Sequence, residues 1–160
     1  MRNLCLLALL LLTVGCNQSV QMTEEAAIAK LHEFFELLDI EQYDKNALSQ
    51  IVTDDFHIFE MGQDFTLDSF DAFIQEAQTT TVSTSWTLSD FVVSIEEQSA
   101  HVAYLNKGLF ETTEQTLIHS HWMESAYMVV QDDEIKLKFL QSDLVNRDCL
   151  LYTSPSPRDS

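Results

Sequence analysis

The sequence is poor in positive charge, glycine and cysteine, and each shortage excludes a class of protein. Its 160 residues include 26 Asp and Glu but only 8 Lys and Arg, which gives a formal net charge of -18. Such a field repels phosphate backbones, so we predict that the protein has no nucleic-acid partner. Glycine-rich phosphate loops and serine-nucleophile elbows are also missing from the pattern. We therefore predict no cofactor and no covalent catalysis.

Proline is absent from the first 154 residues and then occurs twice, as Pro155 and Pro157. Both belong to the last segment of the chain, CLLYTSPSPRDS. A tail rich in proline and serine ordinarily predicts a disordered extension. This tail resembles, residue for residue, the translation of the transposon-end adapter used in sequencing libraries. We therefore predict that residues 149–160 are not native, and we exclude them from the fold prediction.

The N-terminus has the three parts of a cleaved export signal. Arg2 supplies a positive charge, residues 4–12 form an apolar run, and small residues precede Cys16. This pattern resembles a bacterial lipoprotein signal, in which the cysteine after the cut is acylated. It predicts a signal peptide over residues 1–15 and a lipid anchor at Cys16. An ordinary secretory signal with an incidental cysteine is the alternative.

The residues after Cys16 predict where the anchored protein resides. Asn17, rather than an aspartate, follows the cysteine, which in the enterobacterial sorting pattern indicates the periplasmic side of the outer membrane. Residues 16–22 are then a tether between the lipid and the folded domain in the bacterial cell envelope. The remaining residues, 23–148, contain no cysteine. We predict one domain, stabilised by a hydrophobic core rather than by disulfides.

The first half of this domain predicts three helices. Ile28, Leu31 and Phe35 recur at helical spacing, Asp44 can cap a second helix, and Thr66 can cap a third. Between the second and third predicted helices, apolar residues in the segment DDFHIFEMG recur at every second position, which predicts a strand.

From residue 81 onward the sequence predicts strands only. Four segments are rich in β-branched and aromatic residues and are joined by short polar connections. They predict an antiparallel meander in which Gly108 marks a bulge that curls the sheet. The resulting fold class is α+β, with three N-terminal helices packed on one face of a curved antiparallel sheet. The segments are SWTLSDFVVSI, AHVAYLNKGLF, TLIHSHWMESAYMVV and EIKLKFLQSDLV.

Two stretches resemble SnoaL-like domains of the nuclear transport factor 2-like superfamily. They are AIAKLHEFFELLDIEQYDKNALSQIVTDDFHIFEMGQD and HWMESAYMVVQDDEIKLKFLQSDLV. The resemblance covers nearly all of residues 23–148 and implies a cone-shaped roll with an interior pocket. It departs from the family where Gln141-Ser142 replaces a His-Ser pair. Relatives include isomerases, hydrolases, polyketide cyclases and domains with no known reaction, so function must be argued from the site.

Glu60 is the first candidate for chemistry. It shares one face of its predicted strand with Phe56 and Ile58, and a carboxyl in apolar surroundings has a raised pKa and can shuttle protons. In the ketosteroid-isomerase branch the catalytic base is an aspartate on this strand. The resemblance implies that the position of this base falls near Glu60. The alternative is a glutamate at the strand end that reaches solvent beside Gly62.

Glu124 is the second candidate. Strand alternation places it on the same inward face as Trp122 and Ala126, and a buried carboxyl must be paired or protonated. Tyr104 and Asn106, on the preceding strand, can supply hydrogen bonds. The alternative is a structural network that only satisfies its own members.

These side chains predict a ligand pocket. It suits a small ligand with an apolar body and one polar head. If the pocket is catalytic, Glu60 or Glu124 acts as general acid or base, and Tyr104 donates to developing negative charge. The predicted pocket residues are Trp86, Tyr104, Asn106, Trp122, Glu124 and Phe139.

His119 and His121 project from one face of a strand and resemble part of the cupin metal motif. Glu124 falls on the opposite face, so we predict outer-face residues at a dimer contact and no metal site. His57 and His32 have no evident partners and are interpreted as surface or core residues.

Three functions remain open. The preferred hypothesis is a lipid-anchored envelope domain whose pocket binds a small apolar ligand without catalysis, because no orienting partner of either carboxylate is visible in the sequence. The first alternative is a proton-transfer enzyme of the isomerase or hydrolase type. The second is a structural or partner-binding homodimer.

Overall fold

The computed structural model describes residues 20–151. The predicted signal peptide, the predicted lipid site Cys16 and residues 152–160 lie outside the described residues. Residues 149–151, which belong to the predicted tail, form the end of the last strand. Their origin therefore stays a prediction.

The first half of the chain contains three helices, as predicted, and each begins at a side-chain cap. Thr23 caps α1, and the predicted caps Asp44 and Thr66 accept hydrogen bonds from backbone N–H groups in the first turns of α2 and α3. On the inner side of α1, Leu31 and Phe34 are completely buried. The helices are α1 (Glu24–Leu37), α2 (Lys45–Ile51) and α3 (Leu67–Ala77).

The strands form one six-stranded sheet in the order β2-β1-β6-β5-β4-β3. All neighbours are antiparallel except β1 and β6, which are parallel. The predicted meander is confirmed, and the fold is α+β with three helices on a curved, mostly antiparallel sheet. The short strand β2 was not predicted. The strands are β1 (Val52–Glu60), β2 (Gln63–Thr66), β3 (Thr81–Ile95), β4 (Ser99–Thr112), β5 (Thr116–Gln131) and β6 (Glu134–Leu151).

Strand β5 shows the alternation that the sequence predicts. Trp122, Glu124 and Met128 are buried on its inner face, whereas Met123 and Tyr127 are exposed on the outer face. Because β5 and β4 pair without a register shift, the inward residues of both strands lie side by side. This regular pairing brings Glu124 into the interior.

Strand β6 contains two irregularities that reverse which residues face inward. Opposite Tyr127 and Met128 of β5, β6 carries the extra residue Lys138, and beyond Trp122 it carries the extra residue Val145. An inserted residue shifts the period-two pattern by one position. The first shift turns Phe139 to the outer face of the sheet. The second turns Arg147 to the inner face.

Gly108 does not mark a bulge, which corrects the sequence prediction. It pairs in regular register with Trp86 on one side and Ser120 on the other. A Cβ at this position would lie 2.9 Å from ring atoms of Phe110 and Trp122 and 3.0 Å from a ring atom of Trp86. Gly108 therefore provides the space in which three aromatic rings meet.

We expect Gly108→Ala to lower the free energy of unfolding by roughly 1–3 kcal/mol, because all three rings must move away from the added methyl group. Urea denaturation followed by circular dichroism measures this change. Ala103→Val adds bulk to the same strand and serves as the control, with an expected change of about 0.5 kcal/mol or less. A Gly108→Ala protein as stable as the wild type would show that the rings are not tightly packed.

The outer face of the sheet keeps apolar side chains in solvent. Met123 is 60% exposed and Phe59 is 44% exposed. Such a face suits an interface, and the predicted homodimer stays a prediction. Among residues 20–151, no helix combines the length and the apolar character that crossing a bilayer requires.

Candidate functional site

A cavity of about 260 Å³ lies between the helices and the inner face of the sheet. Its wall is mainly aromatic and aliphatic, and the charged side chains in it are Glu60, Glu124 and Arg147. Ligand sites combine an apolar wall with a few polar groups in this way, and drug-sized sites measure about 300–1,000 Å³. The cavity therefore fits a ligand below drug size. The other lining residues are Phe34, Phe35, Leu38, Ile40, Ile58, Met61, Phe70, Phe73, Ile74, Ala77, Thr81, Thr84, Trp86, Phe110, Trp122 and Leu140.

Glu124 is the most deeply placed charged group of the cavity. Only 7% of the residue is exposed. The Ser142 hydroxyl donates to its Oε1 at 2.7 Å, and the Asn106 amide donates to its Oε2 at 3.2 Å. Burial raises the pKa of Glu124 from its ordinary 4.5 to about 7, although these hydrogen bonds favour the charged form and lower it. Both protonation states are therefore populated at neutral pH.

Asn106 can serve both protonation states of Glu124. Its side chain is buried, and its Oδ1 has no hydrogen-bond partner among the described residues. A half-turn of the amide exchanges the positions of Nδ2 and Oδ1. The amide then accepts from a protonated Glu124 instead of donating to the carboxylate. The predicted hydrogen bond between these two residues is present.

Tyr104 lies behind the cavity wall rather than in it. Its ring packs against Phe35 and Phe91, with centroids 6.2 Å and 6.1 Å away. Burial raises the pKa of Tyr104 well above its ordinary value, and the negative charge of Glu124 adds to this. The hydroxyl is near Glu124 but makes no hydrogen bond of regular geometry with any described residue. Tyr104 does not line the cavity, so its predicted contact with a ligand is not formed here.

Glu60 faces the cavity from the end of β1, on the same side as the buried Phe56 and Ile58. This is the side that strand alternation predicts. Burial raises the pKa of Glu60, whereas the nearby Arg147 guanidinium lowers it. The charge of Glu60 in turn raises the pKa of Glu124. Ionised Glu60 therefore adds to the effect of burial in disfavouring ionisation of Glu124.

Arg147 lines the cavity but was not predicted from the sequence. It lies opposite Ser120 in the sheet, and its Nε donates to the Ser120 hydroxyl at 3.0 Å. Regular alternation from Ser142 would turn it outward, and the extra residue Val145 turns it into the cavity. No sequence pattern in β6 predicts that bulge.

Trp86 and Trp122 line the cavity as predicted, whereas Phe139 does not. The two indole rings are tilted at 46°, with centroids 6.0 Å apart. The Phe139 ring packs against the Phe59 ring on the outer face, with ring centroids 4.9 Å apart. The bulge at Lys138 is the reason, because it turns Phe139 to the face opposite to that of Leu137.

The histidines lie away from the cavity. His119 and His121 flank the buried Ser120 on β5, and His57 contacts Asp64 at 2.6 Å in the β1–β2 hairpin. Exposed His32 packs its ring edge against Phe91. Within residues 20–151, no group of three or more His, Cys, Asp or Glu side chains is placed to hold a metal ion.

Sequence reasoning also missed the helical part of the wall. Phe34 and Phe35 of α1 and Phe70 and Phe73 of α3 line the cavity. Helical periodicity predicted the inward faces of these helices, but which inward side chains border a void depends on how far each helix stands from the sheet. One signal in the sequence indicated Ser142: together with Gln141 it occupies the position of the family's His-Ser pair.

No protein-family model and no curated protein matches the sequence. Solved structures do match the fold. A candidate scytalone dehydratase from Novosphingobium aromaticivorans has a TM-score of 0.65 at 14% identity, and the match covers 85% of this chain and 93% of that one. The hexachlorocyclohexane dehydrochlorinase LinA-type3 from Novosphingobium barchaimii has a TM-score of 0.66 at 11% identity, with coverages of 83% and 96%.

A candidate ketosteroid isomerase from Shewanella frigidimarina has a TM-score of 0.60 at 15% identity, and the match covers 75% of this chain and 96% of that one. At such identities, a likeness carries information about the fold and not about the reaction. The helices, the sheet order and these neighbours agree. The chain has the same cone-shaped α+β fold as these structures.

Proposed function

We propose that the cavity is the active site of an enzyme that transfers a proton on a small, mainly apolar substrate, with Glu124 as the general acid and base. One observation carries this proposal: the Glu124 carboxyl is buried in the cavity wall and burial brings its pKa to about 7. General acid-base catalysis is most efficient when the pKa lies near the working pH. Carboxyls perturbed in this way concentrate at functional sites.

The structural neighbours support the same reaction class. Their names describe a dehydratase, a dehydrochlorinase and an isomerase. Each of these reactions moves a proton to or from the substrate, and none needs a covalent enzyme intermediate. A cavity with an apolar wall and two carboxyls of raised pKa has the groups that such chemistry requires.

In the proposed reaction, ionised Glu124 accepts a proton from a C–H bond that is acidified by a neighbouring electron-withdrawing group. The electron pair of that bond moves into the substrate, either to an electronegative atom or toward a leaving group. Glu124 then returns the proton to a second position or to the leaving group. Burial raises the pKa of Glu60, so this carboxyl can supply a proton from its position beside Ser142, on the same sheet face as Glu124.

Hydrogen-isotope exchange tests the proposal before the substrate is known. Small carbonyl compounds and alkyl halides are incubated with the protein in D₂O, and NMR follows the loss of C–H signals. Exchange is the first half of any proton transfer, so it is detected even when no product accumulates. Enzyme-dependent exchange in at least one compound is expected. A compound that binds in the cavity but never exchanges would contradict the proposal.

A ligand-binding function without catalysis is the second proposal. It is favoured by the two hydrogen bonds that Glu124 accepts, from Ser142 and Asn106, because a fully satisfied carboxylate is also what a structural network contains. The exchange experiment separates the two proposals. Bound ligand without exchange is the result that a binding protein gives.

We also propose that acyl chains on Cys16 hold the domain at the bacterial cell envelope, on the periplasmic side of the outer membrane, because residues 2–16 follow the lipoprotein pattern. Mass spectrometry of the N-terminal peptide from membrane fractions is expected to show an acylated Cys16. Cys16→Ser is expected to move the protein out of the membrane fraction. An unmodified cysteine in the soluble fraction would contradict the anchor.

A further inference from the structure

Arg147 is the positive charge in the cavity wall that the proposed proton transfer does not use. Glu60 and Glu124 are the other charged residues that line the cavity. Arg147 is an exposed residue that also borders the cavity. Its guanidinium can therefore bind an anionic group that enters the cavity.

The protein holds Arg147 by only one of its nitrogens. Nε donates to the Ser120 hydroxyl, which is itself completely buried. Among the described residues, the two terminal amino groups make no hydrogen bond or ion pair within the usual limits, and Glu60 influences Arg147 without contacting it. The Nε contact fixes the plane of the guanidinium, and the fork of terminal N–H groups stays available.

The rest of the wall restricts what such a partner can be. The cavity measures about 260 Å³ and is lined mainly by aromatic and aliphatic side chains, including both tryptophans of the protein. A phosphate or a sugar would leave many polar groups unpaired against this wall. A compact hydrocarbon body would not.

We infer that the cavity takes a small carboxylic acid, whose carboxylate binds the terminal amino groups of Arg147 and whose hydrocarbon body packs against Trp86 and Trp122. Planar carboxylates match the guanidinium fork and form two parallel hydrogen bonds with it. The inference builds on the proposed function by naming its substrate class. It concerns binding alone and does not depend on proton transfer.

Tryptophan fluorescence measures this binding directly, because Trp86 and Trp122 are the two tryptophans of the chain and both line the cavity. The probes are cyclohexylacetate and its neutral counterpart cyclohexylacetamide, which have nearly the same shape. Charge-assisted hydrogen bonds distinguish such a pair by roughly tenfold to hundredfold in affinity. We expect the carboxylate to bind more tightly by this factor.

Substitutions assign the preference to Arg147. Arg147→Met is expected to remove the advantage of the carboxylate while the amide still binds, and Arg147→Lys is expected to keep part of it. Lys138→Met is the matched control, because it removes the same charge from a lysine that pairs with Asp55 away from the cavity wall. It is expected to leave both affinities unchanged, which excludes a general effect of net charge.

The outcomes separate this inference from the proposed function. Equal binding of the two probes, or a preference that survives in Arg147→Met, overturns the inference and leaves proton transfer open to neutral substrates. Binding of neither probe overturns the inference and weakens the case for the cavity as an active site. Carboxylate binding that depends on Arg147, together with no exchange in any carbonyl compound or alkyl halide that binds in the cavity, supports the inference and contradicts proton transfer.

Discussion

Replacing Glu124 with glutamine is expected to reduce enzyme-dependent isotope exchange by a factor of about 10² to 10⁴, which is the usual contribution of a general acid or base. Glutamine keeps the size of the side chain and can accept the hydrogen bond from Ser142. Its amide can also donate to Asn106 Oδ1 once the Asn106 amide turns. The fold is therefore preserved, and the variant loses only the group that accepts the proton.

Two variants make this result specific. Glu60→Gln removes the second carboxyl of the cavity and is expected to reduce exchange by less than Glu124→Gln, because Glu60 is only half-buried and assists from the rim. Ser142→Ala removes a hydrogen bond that lowers the pKa of Glu124. It is therefore expected to move the exchange-pH profile toward higher pH. If Glu124→Gln exchanged at the wild-type rate, Glu124 would not be the base.

Glu124→Gln is also expected to raise the free energy of unfolding, by about 3 kcal/mol above pH 7 and by much less below pH 4.5. Burial raises the pKa of Glu124 from 4.5 to about 7. The folded protein therefore binds this proton more tightly than the unfolded chain does. The wild type loses stability as the pH rises from about 4.5 to about 7, at about 1.4 kcal/mol per pH unit. The Glu124→Gln variant carries no charge at this position and escapes this loss.

Urea denaturation of both proteins at a series of pH values measures the effect. The carboxyls that do not interact with Glu124 titrate alike in both proteins, so the difference between the two curves reports Glu124 together with its effect on Glu60. Glu114→Gln, a change of the same kind in an exposed turn, is the control and is expected to give a difference of about 0.5 kcal/mol or less. A pH-independent difference for Glu124→Gln would mean that this carboxyl is not displaced from its ordinary pKa.

Such a cost in stability is typical of functional sites. A glutamine at position 124 is expected to make the protein more stable at neutral pH, yet the chain has an ionisable group there. Active sites commonly retain groups that destabilise the fold because the chemistry needs them. The two Glu124 predictions together separate the roles: a catalytic carboxyl gives a gain in stability and a loss of exchange, whereas a structural carboxyl with the same raised pKa gives the gain in stability alone.

The sequence was sufficient wherever a regular period was maintained. Glu60 and Glu124 could be placed in the interior because β1 and β5 alternate regularly around them, and an uninterrupted strand allows only one assignment of faces. The caps Asp44 and Thr66 are local interactions, set by side chains within one turn of the helix. For the same reason, the order of helices and strands could be predicted.

Three residues show where sequence reasoning fails. Phe139 and Arg147 each follow an extra residue in β6 and so lie on the face opposite to the one that simple alternation assigns. Gly108 was interpreted as a bulge because glycine often marks one, but its role depends on the rings of three other strand residues that surround it. Neither a bulge nor a ring contact is encoded in a short window of sequence.

Periodicity, capping and composition are local properties, and they were enough to predict the fold class, the two inward carboxyls and the absence of a thiol in residues 23–148. That Glu60, Glu124 and Arg147 share one cavity, and that Tyr104 lies behind its wall, emerges only when the segments pack together. These relations depend on strand register and on the distance between helices and sheet. Both are set by packing between segments far apart in the chain, and they convert separate residues into a site.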